Sequence, residues 1–313
     1  EALGQIFVSV SDRGEAWEDL HRLTQDKDKF VRWKATVALG ETFAYVLDKD
    51  EAWEDLHRLT QVKDYNVRLG VTDALRAAFV FVPDRGEAWE DLHGLTQDGD
   101  KQVRRRATEA LGQIFAYVPD KDGAWKDLHR LTRDKSNIIR QRAAYYLGDA
   151  FPFVSDKDKA WKDIHQLTRD KDKSVRWGAS YALKQTFADS PDKDEAWRDL
   201  HRLTQDKDED VRSSATIALG QVFAFVPRKD EAWGDLHRLT QDKDEDVRSS
   251  AIIALGLAFE DVPDKDEAWE DLHRLTQDKD EEIRSSAAHA LGRAYTFVPD
   301  KGEVREDLQR LSR

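Results

Sequence analysis

The sequence predicts an all-α fold, an α-solenoid of 36-residue helix hairpins, and three observations carry that expectation. Tryptophans stand at Trp17, Trp53, Trp89, Trp125, Trp161, Trp197, Trp233 and Trp269, and a histidine follows each one by four residues, from His21 to His273, with no slippage. A fixed period of this size marks a stacked array of one supersecondary unit. Each period holds two apolar sets at helical spacing. Charged residues make up 36 % of the chain and apolar ones 39 %, which is too much periodic hydrophobicity for disorder and too much charge for a compact two-sided core. A thin, heavily solvated body is expected.

The repeat is clearest at residues 192–227. Residues 1–11, EALGQIFVSVS, match its second half, where 218–227 reads ALGQVFAFVP, so the chain enters in mid-repeat. Eight full repeats follow at 12–47, 48–83, 84–119, 120–155, 156–191, 192–227, 228–263 and 264–299, and residues 300–313 add one more first half. In that last piece Val304-Arg305 replaces Ala-Trp and Gln309 replaces the histidine, as a terminal cap would require. No such change marks residues 1–11, and methionine is absent from the whole chain, so the natural array is expected to extend further at its start. Residues 1–313 are expected to form a single array.

Within a repeat, Ala196, Trp197, Leu200 and Leu203 lie on one helical stripe and define a first helix. It is introduced by Pro191, which stops the preceding helix, and by Asp192 with Glu195 three residues later, which resembles a capping box. The acids there also favour the positive end of the helix dipole. Val211, Ala215, Ala218, Leu219, Val222 and Val226 define a second helix, and an acidic turn at 205–210 joins the two. Two helices with one apolar stripe each bury those stripes only by stacking hairpin on hairpin.

The second-helix signature Asp208-x-x-Val211-Arg212-x-x-Ala215-x-x-Ala218-Leu219-Gly220, which recurs in nearly every repeat, resembles the HEAT-repeat family, in particular the short prokaryotic HEAT-like repeats related to phycobilin-lyase repeats. The resemblance covers the whole chain. Tetratricopeptide repeats also place a tryptophan in the first helix, but their period is about 34 and they lack the Val-Arg-x-x-Ala pattern. What the resemblance implies is a right-handed superhelix whose second helices line the concave wall, and a ladder of Asp208 and Arg212, and copies such as Asp28 and Arg32, tying neighbouring repeats. Ser136 interrupts the acid column. Members of the family act mostly as binding scaffolds and in a minority as enzymes.

Composition narrows the partners. A net charge of −13 opposes unaided binding to nucleic acid or to an anionic membrane and favours a neutral or basic partner. Without cysteine there are no disulfides or thiolate metal sites. There is no run of 18 apolar residues, and the chain reads as soluble and cytoplasmic. The tryptophan and histidine columns read as structural, because a residue present in every repeat serves something that every repeat has. The turn pattern Asp206-x-Asp208-x-Asp210 lacks the glycine and the bidentate glutamate of a calcium loop. With no phosphate loop and no nucleophile elbow either, neither a catalytic set, a metal nor a cofactor is expected.

What varies between repeats points to the site. Four second-helix columns carry the largest chemical changes, and at about 100° per residue they fall within one arc opposite the Val211–Leu219–Val222 stripe. Drift at exposed positions yields polar residues. This arc instead carries Phe30, Trp33, Val37, Leu69, Tyr145, Trp177, Tyr181, Ile217 and Ile253, interleaved with Asp73, Arg105, Glu109, Gln141 and Arg142. Aromatics with arginine are the composition of interface anchors. The expected function is therefore a non-catalytic scaffold binding a protein or peptide on the second helices, through side chains that contribute little to the core. Three alternatives stand beside it. Nucleic acid could bind the Arg104-Arg105-Arg106 cluster with Arg140, Arg142 and Arg176; a lyase-type enzyme, by family analogy, would need a once-only cluster of acid, base and ligand pocket, for which the nearest candidates, His289 and Arg293, are too few; and a varied face on a consensus scaffold also resembles an engineered binder.

Overall fold

The structure, a computed structural model, describes residues 13–297. The half repeat at 1–11 and the cap positions Val304, Arg305 and Gln309 lie outside the described residues. Among those described there are sixteen α-helices in eight hairpins. The first helices are α1 (Arg13–Thr24), α3 (Lys49–Thr60), α5 (Arg85–Thr96), α7 (Lys121–Leu131), α9 (Lys157–Leu167), α11 (Lys193–Leu203), α13 (Lys229–Leu239) and α15 (Lys265–Leu275). The second helices are α2 (Lys29–Thr42), α4 (Tyr65–Ala78), α6 (Lys101–Ile114), α8 (Asn137–Ala150), α10 (Lys173–Thr186), α12 (Glu209–Val222), α14 (Glu245–Ala258) and α16 (Glu281–Ala294).

The chain divides into two compact units, Glu1–Asp156 and Lys157–Arg313, at the junction of the fourth and fifth repeats. Each is built alike. The first-helix stripe is buried as its spacing predicts, with Ala196, Trp197, Leu200 and Leu203 all at most 1 % exposed. Asp192 caps α11 by accepting from the Glu195 backbone N–H at 2.8 Å. Glu195 does not complete a capping box, since its carboxylate accepts instead from the Trp161 indole of the preceding repeat at 2.7 Å. An indole N–H enclosed in a core needs an acceptor, whereas helix-end amides have other partners.

Val226 departs from the sequence reading. The second helix ends at Val222, a short 3-10 turn follows over Phe223–Phe225, and Val226 is the extended residue after it, still buried. The connection after the second helix inserts Phe43, Phe79, Phe115, Phe151, Phe187, Phe223 and Phe259, one in each of the first seven repeats, into the core at 1 % exposure or less.

Successive second helices approach closely where glycine permits it. A Cβ placed on Gly40 would lie 2.4 Å from the Ala74 Cα, and one on Gly220 would lie 2.4 Å from the Ala254 Cα. Carbon pairs sit comfortably at about 3.5–4.0 Å, so no side chain fits at either place. The exposed sides of the second helices thus form a nearly continuous surface within each unit.

Candidate functional site

In the N-terminal unit this surface begins at Phe30, which is 60 % exposed and packs edge-on against Trp33 at a centroid distance of 5.4 Å. The Lys34 ammonium stands 4.5 Å from the Trp33 ring centroid. Trp33 itself is half-buried because it lies across Gly70 of the next second helix, where a Cβ would come within 2.5 Å of the indole Cδ1. Val37, Leu69, Asp73, Gln141 and Tyr145 are half-buried too. Glu109 gathers the charges: its carboxylate accepts from Arg105 at 3.1 Å and lies 3.1 Å from Arg142 Nε and 3.4 Å from Arg106 Nη1.

In the C-terminal unit Trp177, Tyr181 and Ile217 are half-buried and Ile253 is 41 % exposed. The Lys184 ammonium lies 4.3 Å from the Tyr181 ring, whose hydroxyl accepts from Gln185 at 3.0 Å. In the later repeats the column of Trp33 becomes serine, and these serines pair with the next repeat, Ser213 with Ser250 at 2.7 Å and Ser249 with Ser286 at 3.3 Å. The columns therefore do lie on one side of the second helices in each unit. The expectation that they contribute little to packing fails for Trp33, which fills the seam between repeats as well as facing solvent.

The residues that recur in every repeat tie one repeat to the next. His201 Nδ1 donates to Asp235 Oδ2 at 2.6 Å, and the same bond joins His21 to Asp55, His57 to Asp91, His93 to Asp127, His165 to Asp199 and His237 to Asp271. The aspartate is buried each time, and where its oxygen accepts, the imidazole carries its proton on Nδ1. Tryptophan N–H groups reach a glutamate of the following repeat in the same manner, from Trp17 to Glu51 at 2.9 Å and from Trp233 to Glu267 at 2.8 Å. Positions 123 and 159 carry Gly and Lys in that glutamate column, and the Trp125 N–H is buried without an acceptor.

An arginine ladder also exists, with a different acid from the one the resemblance implies. Arg212 pairs with Asp242, Arg176 with Asp206, Arg104 with Asp134 and Arg68 with Asp98, each aspartate being the first of the next turn. Asp28, Asp64, Asp100, Asp172, Asp244 and Asp280, in the column of Asp208, cap second helices instead. The reason is reach, because an acid at the N-cap is aimed along its own helix axis while the turn acid faces the preceding repeat. The missing rung is then at Val62, opposite Arg32, and Ser136 marks only a changed cap. Although burial pushes the Asp206 and Asp242 carboxyls up, the guanidinium and backbone N–H donors around them bring both below the usual carboxylate range. The Asp206 carboxylate is thereby committed to Arg176 and to the Asp208 N–H, which accounts for the turn aspartates without a cation.

The basic cluster is likewise spoken for. Arg104 holds Asp134 and two backbone carbonyls, Arg105 and Arg142 hold Glu109, Arg176 is buried on Asp206, and Arg140 donates to the carbonyls of Asp134 and Lys135. That leaves little free positive charge for phosphates. His289 and Arg293 do meet, with Ile253, Ser285, Ser286 and Ala290, around a small cleft of about 260 Å³, but no carboxylate lines it.

Two features escaped the sequence reading. The buried aspartate column, Asp55 to Asp271, sits beside the tryptophan and histidine columns and is just as regular. The connections after the second helices also carry exposed aromatics, Tyr45, Phe81, Tyr117 and Phe153 in the N-terminal unit and Phe225 in the other. Both recur at the period that revealed the tryptophans, and comparison of every column would have found them.

Fold and seams together define a class, a scaffold of stacked helix hairpins joined by side-chain ladders. The HEAT-repeat family model matches residues 235–311, and the other repeats are copies of the same 36-residue unit. No curated protein matches it. Among solved structures it is similar to an engineered protein, at 21 % identity and a TM-score of 0.56 over 94 % of this chain and 81 % of that one. It is also similar to a chain in the structure of Kap95p with RanGDP, at 14 % identity and a TM-score of 0.67, and to one in the Kap95:Nup1 complex, at 13 % and 0.68. In both cases 94 % of this chain is covered, but it spans only 41 % and 43 % of theirs. At such identities the likeness is one of fold. Among the described residues no helix is long and apolar enough to cross a membrane.

Proposed function

We propose that the chain is a non-catalytic scaffold that binds a protein or peptide, neutral to basic in charge, along the solvent side of its second helices. The observation that carries this reading is a pair of large aromatics on that side, Trp33 in the first repeat and Trp177 in the fifth, in a column where the later repeats have serine, with Phe30 and Tyr181 beside them. Rigid aromatics beside fixed charges are what protein interfaces use as anchors. The fold relatives support the class, since Kap95p is described with RanGDP and with Nup1, both proteins.

The test is a peptide selected from a display library on the intact chain, its affinity then measured against Trp33→Ser and against Trp177→Ser with Tyr181→Ser. Loss of an anchor should weaken binding by about 2 kcal/mol, roughly thirtyfold. Unchanged affinity in both variants would move the binding surface elsewhere, the exposed aromatics Tyr45, Phe81, Tyr117 and Phe153 being the next place to look.

A further inference from the structure

In five repeats the buried aspartate of the first helix is held by an arginine three residues later, and the same guanidinium reaches back to a threonine one repeat earlier. Arg58 Nη2 lies 2.5 Å from Asp55 Oδ1 and 3.0 Å from Thr24 Oγ1; Arg130 Nη2 lies 2.9 Å from Asp127 Oδ1 and 2.6 Å from Thr96 Oγ1. Arg202, Arg238 and Arg274 repeat the arrangement with Asp199 and Thr168, Asp235 and Thr204, and Asp271 and Thr240. The third repeat keeps the aspartate, Asp91, and the second the threonine, Thr60, but Gly94 stands where the arginine belongs.

A cleft of about 410 Å³ opens there, lined by Thr60, Gln61, Arg68, Asp91, Gly94 and Asp98 among others. That volume lies within the range of about 300–1,000 Å³ usual for small ligand sites. Asp91 is 93 % removed from solvent, its residual exposure being 7 %. Its Oδ2 accepts from His57 at 2.9 Å. Its Oδ1 has only the Thr60 hydroxyl at 3.4 Å, and that hydroxyl gives its proton to the His57 carbonyl at 2.7 Å. Neighbouring cations do not supply the missing donor, because Arg68 is held by Asp98 and by the carbonyls of Val62 and Lys63. Burial pushes the Asp91 carboxyl above its usual range despite the His57 bond. A Cβ on Gly94 would meet nothing within 4 Å.

We propose that the cleft at Gly94 binds the guanidinium of an arginine side chain presented by a protein partner, seated between Asp91 Oδ1 and Thr60 as the chain's own arginines are in those five repeats. The chemistry selects guanidinium over ammonium. A planar fork spans a carboxylate and a second acceptor at once, as Arg130 does with Asp127 and the Thr96 carbonyl at 3.2 Å, whereas a lysine is a single point charge. Filling the site displaces the Gln61 amide from the Thr60 hydroxyl, where it sits at 2.9 Å. The cleft lies at the edge formed by the turn at 61–63 and the first helix α5, apart from the aromatic side of the second helices, so this inference stands independently of the binding face proposed above.

The experiment is titration of the isotopically labelled chain with N-acetyl-L-arginine amide, followed through the amide resonances of Thr60, Asp91 and Gly94. The lysine and citrulline counterparts and free L-arginine form the other arms. Saturable shifts at those three residues are expected for the arginine amide, at least tenfold weaker binding for the lysine and citrulline compounds, and no saturable shifts in G94R, which fills the site from within. G94A, which leaves the cleft open, should bind as the parent does. Absence of saturable shifts in the parent chain, or their persistence in G94R, would overturn the proposal. Free arginine binding at least tenfold more tightly than the blocked amide would overturn the protein partner as its source.

Discussion

A methyl group added at Gly220 and the same group added at Gly234 should move stability in opposite directions. Both glycines lie inside helices, Gly220 in α12 and Gly234 in α13. On propensity alone either Gly→Ala change gains about 1 kcal/mol. At Gly234 nothing lies within 4 Å of the new Cβ, so that gain should stand. At Gly220 the new carbon would meet the Ala254 Cα at 2.4 Å, its Cβ at 2.6 Å and its carbonyl oxygen at 2.8 Å. Backbone cannot rotate aside as a long side chain can, so α12 and α14 must separate by about 1 Å to restore ordinary contact. Overpacking of this kind costs about 1–3 kcal/mol, and rigid backbone on both sides places it at the upper end. The net expectation is a loss of about 2 kcal/mol for Gly220→Ala against a gain of about 1 kcal/mol for Gly234→Ala. Urea denaturation followed by circular dichroism, with both variants and the parent compared at equal slope, measures the difference. A Gly220→Ala chain as stable as Gly234→Ala would refute the close seam between second helices.

Two further outcomes follow from the same packing. Trp197, 1 % exposed, should lose about 3–5 kcal/mol on change to Ala, with peptide affinity per folded molecule unchanged; loss of binding at full stability would make the tryptophan column a site. Asp206 and Asp242 have folded pKa values below the unfolded one of about 3.9, so their contribution is fully present above that pH and is lost as pH falls through the folded values. Asp206→Asn should therefore lower stability at neutral pH and flatten its fall between about pH 4 and pH 2, and an unaltered acid limb would show that the Arg176 bond is not what depresses this carboxyl.

The hairpins and the stripe of Trp197 and Leu200 were legible because burial alone dictates them, and burial repeats with the period. The side on which Phe30, Trp177 and Ile253 lie was legible for the same reason, since whatever faces away from a helical stripe is fixed by the angle per residue. What sequence could not supply was the distance between neighbouring second helices. That distance is set by pairs such as Gly40 with Ala74, and it decides whether Trp33 is a free anchor or a wedge against Gly70. The pairing of Arg212 was misassigned because Asp208 and Asp242 are both acids within a turn of some helix start. Only the direction of each carboxylate separates a cap from a rung. The Asp91 cleft shows the converse case, in which a regular column mattered through the one companion that it lacks.

The central claim is that the solvent side of the second helices is the binding surface, and a footprint of a bound ligand tests it most directly. Hydrogen exchange on the intact chain, with and without a peptide selected on it, should show added protection along the second helices and at their aromatic anchors, around Phe30 and Trp33 or around Trp177 and Tyr181. The first helices should be unchanged apart from their inner contacts. Protection confined to the first helices or to the connections bearing Tyr45, Phe81, Tyr117 and Phe153, with the second helices exchanging as in the free chain, would contradict it.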